Sequence, residues 1–551
     1  MFDKRIWPAL ALLAFVYLVT QTGNTFEALD GYDYALAAET IPITDAHDTR
    51  SILFHKINRV LFVAGDMIGI APRAYEFLRV LDCLVGALAV GLLGRLLVRL
   101  YRLPPTASML GAAMLAACYG FWRYAGEVEV YIPSIALILS ALNLITDVES
   151  RGRRHLADLA PAGVLAGLAV LYYQPNAIPL FLAMPVLILT RANFTRAVVY
   201  AGTGGATILA GLVATYLARE TAPLSIGTLL AFINDRGGEF PLPGLSLWSF
   251  GQALMAITHD FLSTHWLYGF DGVTQWLERA LPRRAYRFEE TIFAARLARP
   301  AVYLPLVILP LLAAAIAAVA WRIAHGPRLS WRPALSSRPV LFAAAWFVLH
   351  GAIVLPLDPA TEEVWIIALT PLVILLSVLV IGPAVAVRGV ALVAAIVALM
   401  AAHNLLAGLN IYRDGQRDLR TIRSAWLAAN ARPGDAVVFS EVRHMTFAHL
   451  RYRLGLDIIH AWPGEARTVG IDPRRTVTGS LDALIGRVHA RGGRVFAFGD
   501  LVAPGPRLLA LEGPAIFAAA EQRAQALAGR ATRVDKGPYG DVYRIEPAAA
   551  R

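Results

Sequence analysis

Cysteine is nearly missing from this chain. Its 551 residues hold two, Cys83 and Cys118, both inside apolar stretches, which excludes a disulfide framework, a cysteine-rich zinc site and an iron–sulfur cluster. Lysine is almost as scarce. Lys4, Lys56 and Lys536 stand against 47 arginines, a bias we read as codon usage. The twelve histidines form no HExxH or comparable pairing, so a zinc enzyme is not expected and no metal ligand set is assigned. No repeat relates the two halves of the apolar region, and no dinucleotide-binding fingerprint follows a strand. The Gly202-Thr203-Gly204-Gly205 run lies in an apolar stretch, where close helix packing explains it better than phosphate binding. Charge is thin, at 16% against about 25% in soluble domains. That excludes a single soluble domain, and the apolar content excludes a disordered chain.

What the chain has instead is apolar residues, 57% of the total, gathered into blocks. A helix crossing a bilayer needs about 20 of them. That measure predicts about eleven spans: 6–22, 77–98, 106–122, 130–147, 158–173, 177–190, 197–218, 301–322, 339–356, 364–382 and 389–410. The first block follows Lys4 and Arg5 like a signal peptide, but no small-x-small cleavage site follows it, so it reads as a retained helix. The net charge of +10 is mostly topological. Arg95, Arg99 and Arg102 mark the second connection, and Arg151, Arg153 and Arg154 the fourth. Arg191 and Arg196 mark the sixth, Arg322, Arg328, Arg332 and Arg338 the eighth, and Arg388 the tenth. Alternate basic connections put the N-terminus in the cytoplasm and call for no nucleic-acid partner.

The other connections then face outward. Two are long, 23–76 and 219–300, and carry amphipathic pieces at 54–68 and 247–267 suited to the interface plane. Gly65, Gly69 and Pro72 are expected to end the first piece. From about residue 411 the pattern changes to alternating helices and strands. Helices are predicted near 414–430, 445–453, 479–490 and 514–529, with strands at 436–440, 457–460 and 494–498. Two short terminal strands flank 536–540. The expected organisation is a polytopic α-helical membrane domain, 1–410, followed by a small outer-face α/β domain, 411–551.

The chemistry-bearing residues gather on the outward connections. The first runs Glu27-Ala-Leu-Asp30-Gly31-Tyr-Asp33, then Asp45-Ala-His47-Asp48-Thr-Arg50, then His55-Lys56-Ile-Asn-Arg59. A carboxylate at the membrane surface is suited to general-base work, and His, Lys and Arg beside it to holding a phosphate. The same residues also fit a solvated loop with helix caps. Arg123 precedes Glu127-Val-Glu129-Val-Tyr131, where a glutamate could equally cap the next helix. Asp358 and Glu362-Glu363-Val-Trp365 open the tenth span in the same way. His259 and His265, beside Asp260, read as interfacial or hydrogen-bonded histidines.

Together these segments resemble the GT-C superfamily of polyprenyl-phosphate-sugar-dependent membrane glycosyltransferases, in its O-mannosyltransferase-like branch. The residues that carry the resemblance are the 33–59 stretch, Phe121-Trp122 through Glu129-Val130-Tyr131, and Glu362 to Trp365. It covers 1–150 well and 300–410 loosely. It implies a sugar donor carried on a polyprenyl phosphate, a glycan, lipid or protein acceptor, and an inverting displacement at the outer face of a bacterial inner membrane. Asp33 or Asp30 would be the base, since the superfamily's usual Asp-Glu or Glu-x-Asp pattern is replaced here by Asp30-Gly-Tyr-Asp33. Glu129, Arg123, His55, Lys56, Arg59, Asp48 and Glu363 would bind substrate. A lipid-linked-sugar flippase and a non-catalytic scaffold of the same superfamily are the alternatives. A transporter would show repeats and mid-span charges, whereas the acids here sit at outer ends.

Overall fold

The protein is described by a computed structural model. It describes residues 6–22, 29–44, 51–150, 155–189, 194–220, 223–234, 245–264, 266–267, 270, 272–273, 276, 303–326, 336–357, 359, 361–413, 419–439, 448–461, 466–469, 477–504, 514–538 and 540–548. Glu27, Asp45, His47, Asp48, Arg50, His265 and Asp358 lie outside them. So do Lys4, Arg5 and the basic residues at 151–154, 191, 328 and 332.

Among the described residues, six helices are long and apolar enough to cross a membrane: Ala74–Arg99, Tyr131–Glu149, Phe194–Ala218, Pro305–His325, Glu362–Ala386 and Val390–Leu409. Five shorter apolar helices, Trp7–Val19, Pro105–Ala117, Ala157–Tyr172, Gln174–Ile188 and Arg338–Val354, fall on the other five predicted spans. Several open with proline in the first turn, as at Pro8, Pro105 and Pro339. There the missing N–H costs no helical hydrogen bond.

The helices of the N-terminal part are α1 (Trp7–Val19), α2 (Leu29–Thr40), α3 (Ile52–Met67), α4 (Ala74–Arg99), α5 (Pro105–Ala117), α6 (Tyr119–Tyr124), α7 (Tyr131–Ser150) and α8 (Ala160–Tyr172). Gly31 lies inside α2, so Asp30 and Asp33 stand on a helix and not in a turn. Gly65 also lies inside its helix, contrary to the expected stop. A Cβ there would sit 2.8 Å from Ala71 and Phe77, so the glycine admits the incoming chain, and Gly69, at φ +75°, ends the helix. Within the 202–205 run, Thr203 and Gly204 form a packing surface, while Gly202 and Gly205 are exposed. A Cβ on Gly163 of α8 would meet Thr203 Oγ1 at 2.1 Å, and one on Gly167 would meet the Gly204 carbonyl at 2.6 Å.

The chain divides into two compact units. One comprises residues 1–22, 42–266 and 298–411, and the other residues 23–41, 267–297 and 412–551. In the first, the helices differ in depth. The Ala74–Arg99, Tyr131–Glu149 and Glu362–Ala386 spans are 61–72% buried within the protein, against 17% for Phe194–Ala218 and Pro305–His325. The last two leave most of their apolar surface for lipid.

The second unit contains a seven-stranded sheet: β1 (Ala436–Phe439), β2 (Asp457–Ala461), β3 (Ala466–Val469), β4 (Val477–Gly479), β5 (Val495–Phe498), β6 (Ala531–Gly537) and β7 (Gly540–Ile545), in the order β4-β3-β2-β1-β5-β7-β6. β1 runs parallel to β2 and β5, while the outer pairings are antiparallel. The unbroken apolar runs of β1 and β5 follow from cover on both faces. Val438, Ile459 and Ala497 pack on one side with Leu484 and Val488. Val437, Phe439 and Phe496 pack on the other with Trp426, Leu427 and Leu450. β3 and β4 were not predicted. They are short, and no alternating pattern marks them.

Candidate functional site

The basic connections of the first unit meet at one end. Arg95 and Arg99 pair with Asp147, and Arg196 with Glu149. Arg338 donates to the Leu189 carbonyl and Arg322 to that of Arg388. The other connections of this unit lie at the opposite helix ends, and there Arg123, Glu127 and Glu129 are buried.

Glu127, in the turn between α6 and α7, is the most enclosed acid. Its carboxylate accepts from Tyr75 at 2.7 Å, Thr22 at 3.1 Å and Arg79 at 3.3 Å, and it pairs with Arg123 four residues earlier. Arg79 also donates to the Gly126 and Thr22 carbonyls. Burial alone would raise the carboxyl pKa, but the two guanidiniums and the tyrosine outweigh it and hold it below the usual range. Glu127 is therefore a framework residue, not a helix cap. The Arg123 charge, expected to meet a donor phosphate, is met by Glu127.

Two residues on, Glu129 is buried in a different setting. Its backbone N–H donates to Asp82 of α4, and Tyr172 at the end of α8 lies within electrostatic reach of both carboxylates. Phe54 of α3 packs edge-on against Tyr172, with ring centroids 5.6 Å apart, and against His55 at 5.3 Å. This brings the His55-Lys56 turn to the same end of the unit. Among the described residues Lys56 has no ion-pair or hydrogen-bond partner. Partial burial lowers its pKa. Arg59, one turn on, is half-buried. Glu363 accepts from Tyr124 at 2.9 Å and Tyr131 at 3.4 Å, whose rings stand edge to face.

Asp30 and Asp33 belong to the second unit with α2. The Tyr34 hydroxyl donates to Asp30 at 3.4 Å. Asp33 forms an ion pair with Arg451 of the Ala448–Leu454 helix.

The sequence reading missed Asp82, Tyr75, Arg79 and Tyr172. Asp82 carried a usable signal, because an acid inside an apolar span is a functional candidate by default. It also corrects the statement that the acids sit only at span ends. The tyrosines carried no signal: Tyr75 meets Glu127 across 52 residues, and Tyr172 meets Asp82 and Glu129 from a different helix. His259 is buried and hydrogen-bonded to Thr264 at 2.7 Å, a structural histidine as expected.

No protein-family model and no curated relative matches the sequence. Solved structures do. ArnT from Cupriavidus metallidurans bound to undecaprenyl phosphate superposes with a TM-score of 0.51 at 13% identity, covering 98% of this chain and 97% of that one. The Archaeoglobus fulgidus oligosaccharyltransferase tethered with an acceptor peptide gives 0.51 at 13% identity, over 98% of this chain and 74% of that one. At such identity the likeness is one of fold, and by it this chain is an integral membrane protein of the GT-C fold.

Proposed function

We propose that the protein transfers a sugar from a polyprenyl-phosphate donor to an acceptor hydroxyl at the outer membrane face, with inversion. The carrying observation is Lys56, a half-buried cation without a counter-charge among the described residues. It heads one face of α3, at positions 56, 60, 63 and 67, where Val60, Val63 and Met67 are exposed. A cation followed by an apolar stripe suits a phosphate followed by a prenyl chain. ArnT, of the same fold, holds undecaprenyl phosphate.

In this reading Asp33, or failing it Asp30, takes the acceptor hydroxyl proton as that oxygen attacks the anomeric carbon. The bond from that carbon to the phosphate oxygen breaks from the opposite side, and its electron pair leaves on the lipid phosphate. Lys56, His55 and Arg59 stabilise the charge that develops there. Glu129 and Glu363 accept hydrogen bonds from sugar hydroxyls. The N-terminus is cytoplasmic and the tail outside, because the even connections are basic.

Asp82, inside a span, favours the flippase reading, but the Glu129 N–H ties it to the outer turn. The test uses the purified chain in nanodiscs with a panel of undecaprenyl-phosphate-linked hexoses and pentoses, reading polyprenyl phosphate release. Turnover should fall on the order of 10²–10⁴-fold in Asp33→Asn. Full turnover in both Asp33→Asn and Asp30→Asn overturns the base assignment. Donor movement across liposomes without release supports the flippase.

A further inference from the structure

We infer that Arg451 is the positioning residue for Asp33, which gives the tail a part in the reaction. The inference rests on Asp33 being the base. Helix α2 has twelve residues, a length that is marginal for an isolated helix in water, so its helicity depends on what it packs against. Among the described residues its main contacts run to one short helix of its own unit, Ala448–Leu454. The Tyr32 ring meets His449 at 6.0 Å and Tyr452 at 5.8 Å, and the Arg453 guanidinium lies over it at 5.6 Å. The Tyr452 hydroxyl donates to Glu39 at 2.7 Å. Between these anchors Arg451 pairs with Asp33.

The burial of that pair is lopsided. The Arg451 side chain is 3% exposed and that of Asp33 26%. A guanidinium that deeply enclosed needs a fixed negative partner, so the contact favours the ionised carboxylate and fixes its direction. A quarter of Asp33 stays open, as a base that must reach an acceptor requires. Among the described residues, the other charged or titratable groups on the two helices, besides Tyr32 and Tyr452, are Asp30, Tyr34 and Glu39 on α2, and His449 and Arg453 opposite. His449 shares a hydrogen bond with Ser424 of the Leu419–Asn430 helix.

The test uses the full chain in nanodiscs, with Arg451→Gln to remove the charge while keeping length and donors, and Arg451→Lys to keep the charge. Amide exchange over residues 29–40 should speed up at least about tenfold in Arg451→Gln and stay near wild type in Arg451→Lys. Exchange in β1 and β5 reports whether the tail is folded. With the undecaprenyl-phosphate-sugar panel, the acid limb of the rate profile should move up by about one pH unit or more in Arg451→Gln, since a neighbouring cation holds a carboxyl down by about that much. It should return in Arg451→Lys with donor KM unchanged. Unaltered exchange over 29–40 in Arg451→Gln, an unmoved acid limb, or a displaced limb in Arg451→Lys overturns the inference. Full turnover in Asp33→Asn removes the base reading instead and leaves the exchange result standing.

Discussion

The two ends of the membrane unit use the same pairing, arginine with a carboxylate, in opposite ways. At the basic end Arg99 is 35% exposed and Asp147 16%. At the other end Arg123 and Glu127 are each 1% exposed. Water and salt screen the first pair, whose worth is about 0–1 kcal/mol. Removing Arg123 from the second leaves the buried Glu127 carboxylate with Arg79 as its remaining cation, at a cost of up to about 3–5 kcal/mol. The basic end holds exposed, water-screened pairs, while the other fixes the turn that carries Glu129 towards Asp82.

The largest expected effect therefore falls on Arg123. Arg123→Ala should lower stability by up to about 3–5 kcal/mol, read as thermal unfolding in detergent. Arg123→Met combined with Glu127→Leu should recover part of that loss, because the pair's own charges are gone while Arg79 keeps the Gly126 and Thr22 carbonyls but loses its carboxylate. If the single variant unfolds at the wild-type temperature, the contrast between the two ends collapses.

Glu129 separates structure from chemistry at the buried end. Glu129→Gln keeps the shape and the backbone N–H given to Asp82. Folding should hold while turnover falls about tenfold to a hundredfold, equivalent to a charged hydrogen bond of about 1.5–3 kcal/mol. Glu363→Gln should cost less, because two tyrosine hydroxyls already occupy its carboxylate. Lost thermal stability with unchanged turnover per folded molecule would make Glu129 structural.

The tail offers an intermediate case. Asp435 accepts from the Arg432 N–H at 2.8 Å, the Arg494 N–H at 2.7 Å and the Arg494 guanidinium at 2.6 Å. Burial raises its pKa, but these bonds prevail and set it below the usual range. With the folded value depressed, the stabilisation is present above the unfolded value of about 3.9. It disappears as pH falls through the folded value. Asp435→Asn should cost about 1–2 kcal/mol at pH 7 and little at pH 2. A difference that persists at pH 2 would mean that the charge contributes nothing.

Legibility in the sequence follows interaction range. Among the described residues, the six long and five shorter apolar helices could be read because apolar length is a local property, and so could the tail's helices of seven residues or more and five of its seven strands. The acids could be found one by one. Their environments could not. Glu127 and Glu129 are near-identical in sequence context. What distinguishes them is Arg79 and Tyr75 on one side and Asp82 on the other, all from α4, about fifty residues away. The role of Arg451 was equally hidden, since it meets Asp33 across 418 residues.

The smallest effect belongs to the basic end. Arg99→Ala removes one of two arginines on Asp147, and Arg95 remains at 2.6 Å. The stability change should be within about 1 kcal/mol and should shrink further in high salt. Yet in the proposed topology the same residue counts in orientation. Replacing Arg95, Arg99 and Arg102 together by alanine should leave detergent unfolding little altered while weakening the charge bias that, in the proposed topology, favours the cytoplasmic side for this connection. The readout is a sidedness reporter after Arg551, compared with thermal unfolding of the same variants. An unfolding temperature that drops as far for Arg99→Ala as for Arg123→Ala would show that exposure does not set the difference between the two ends.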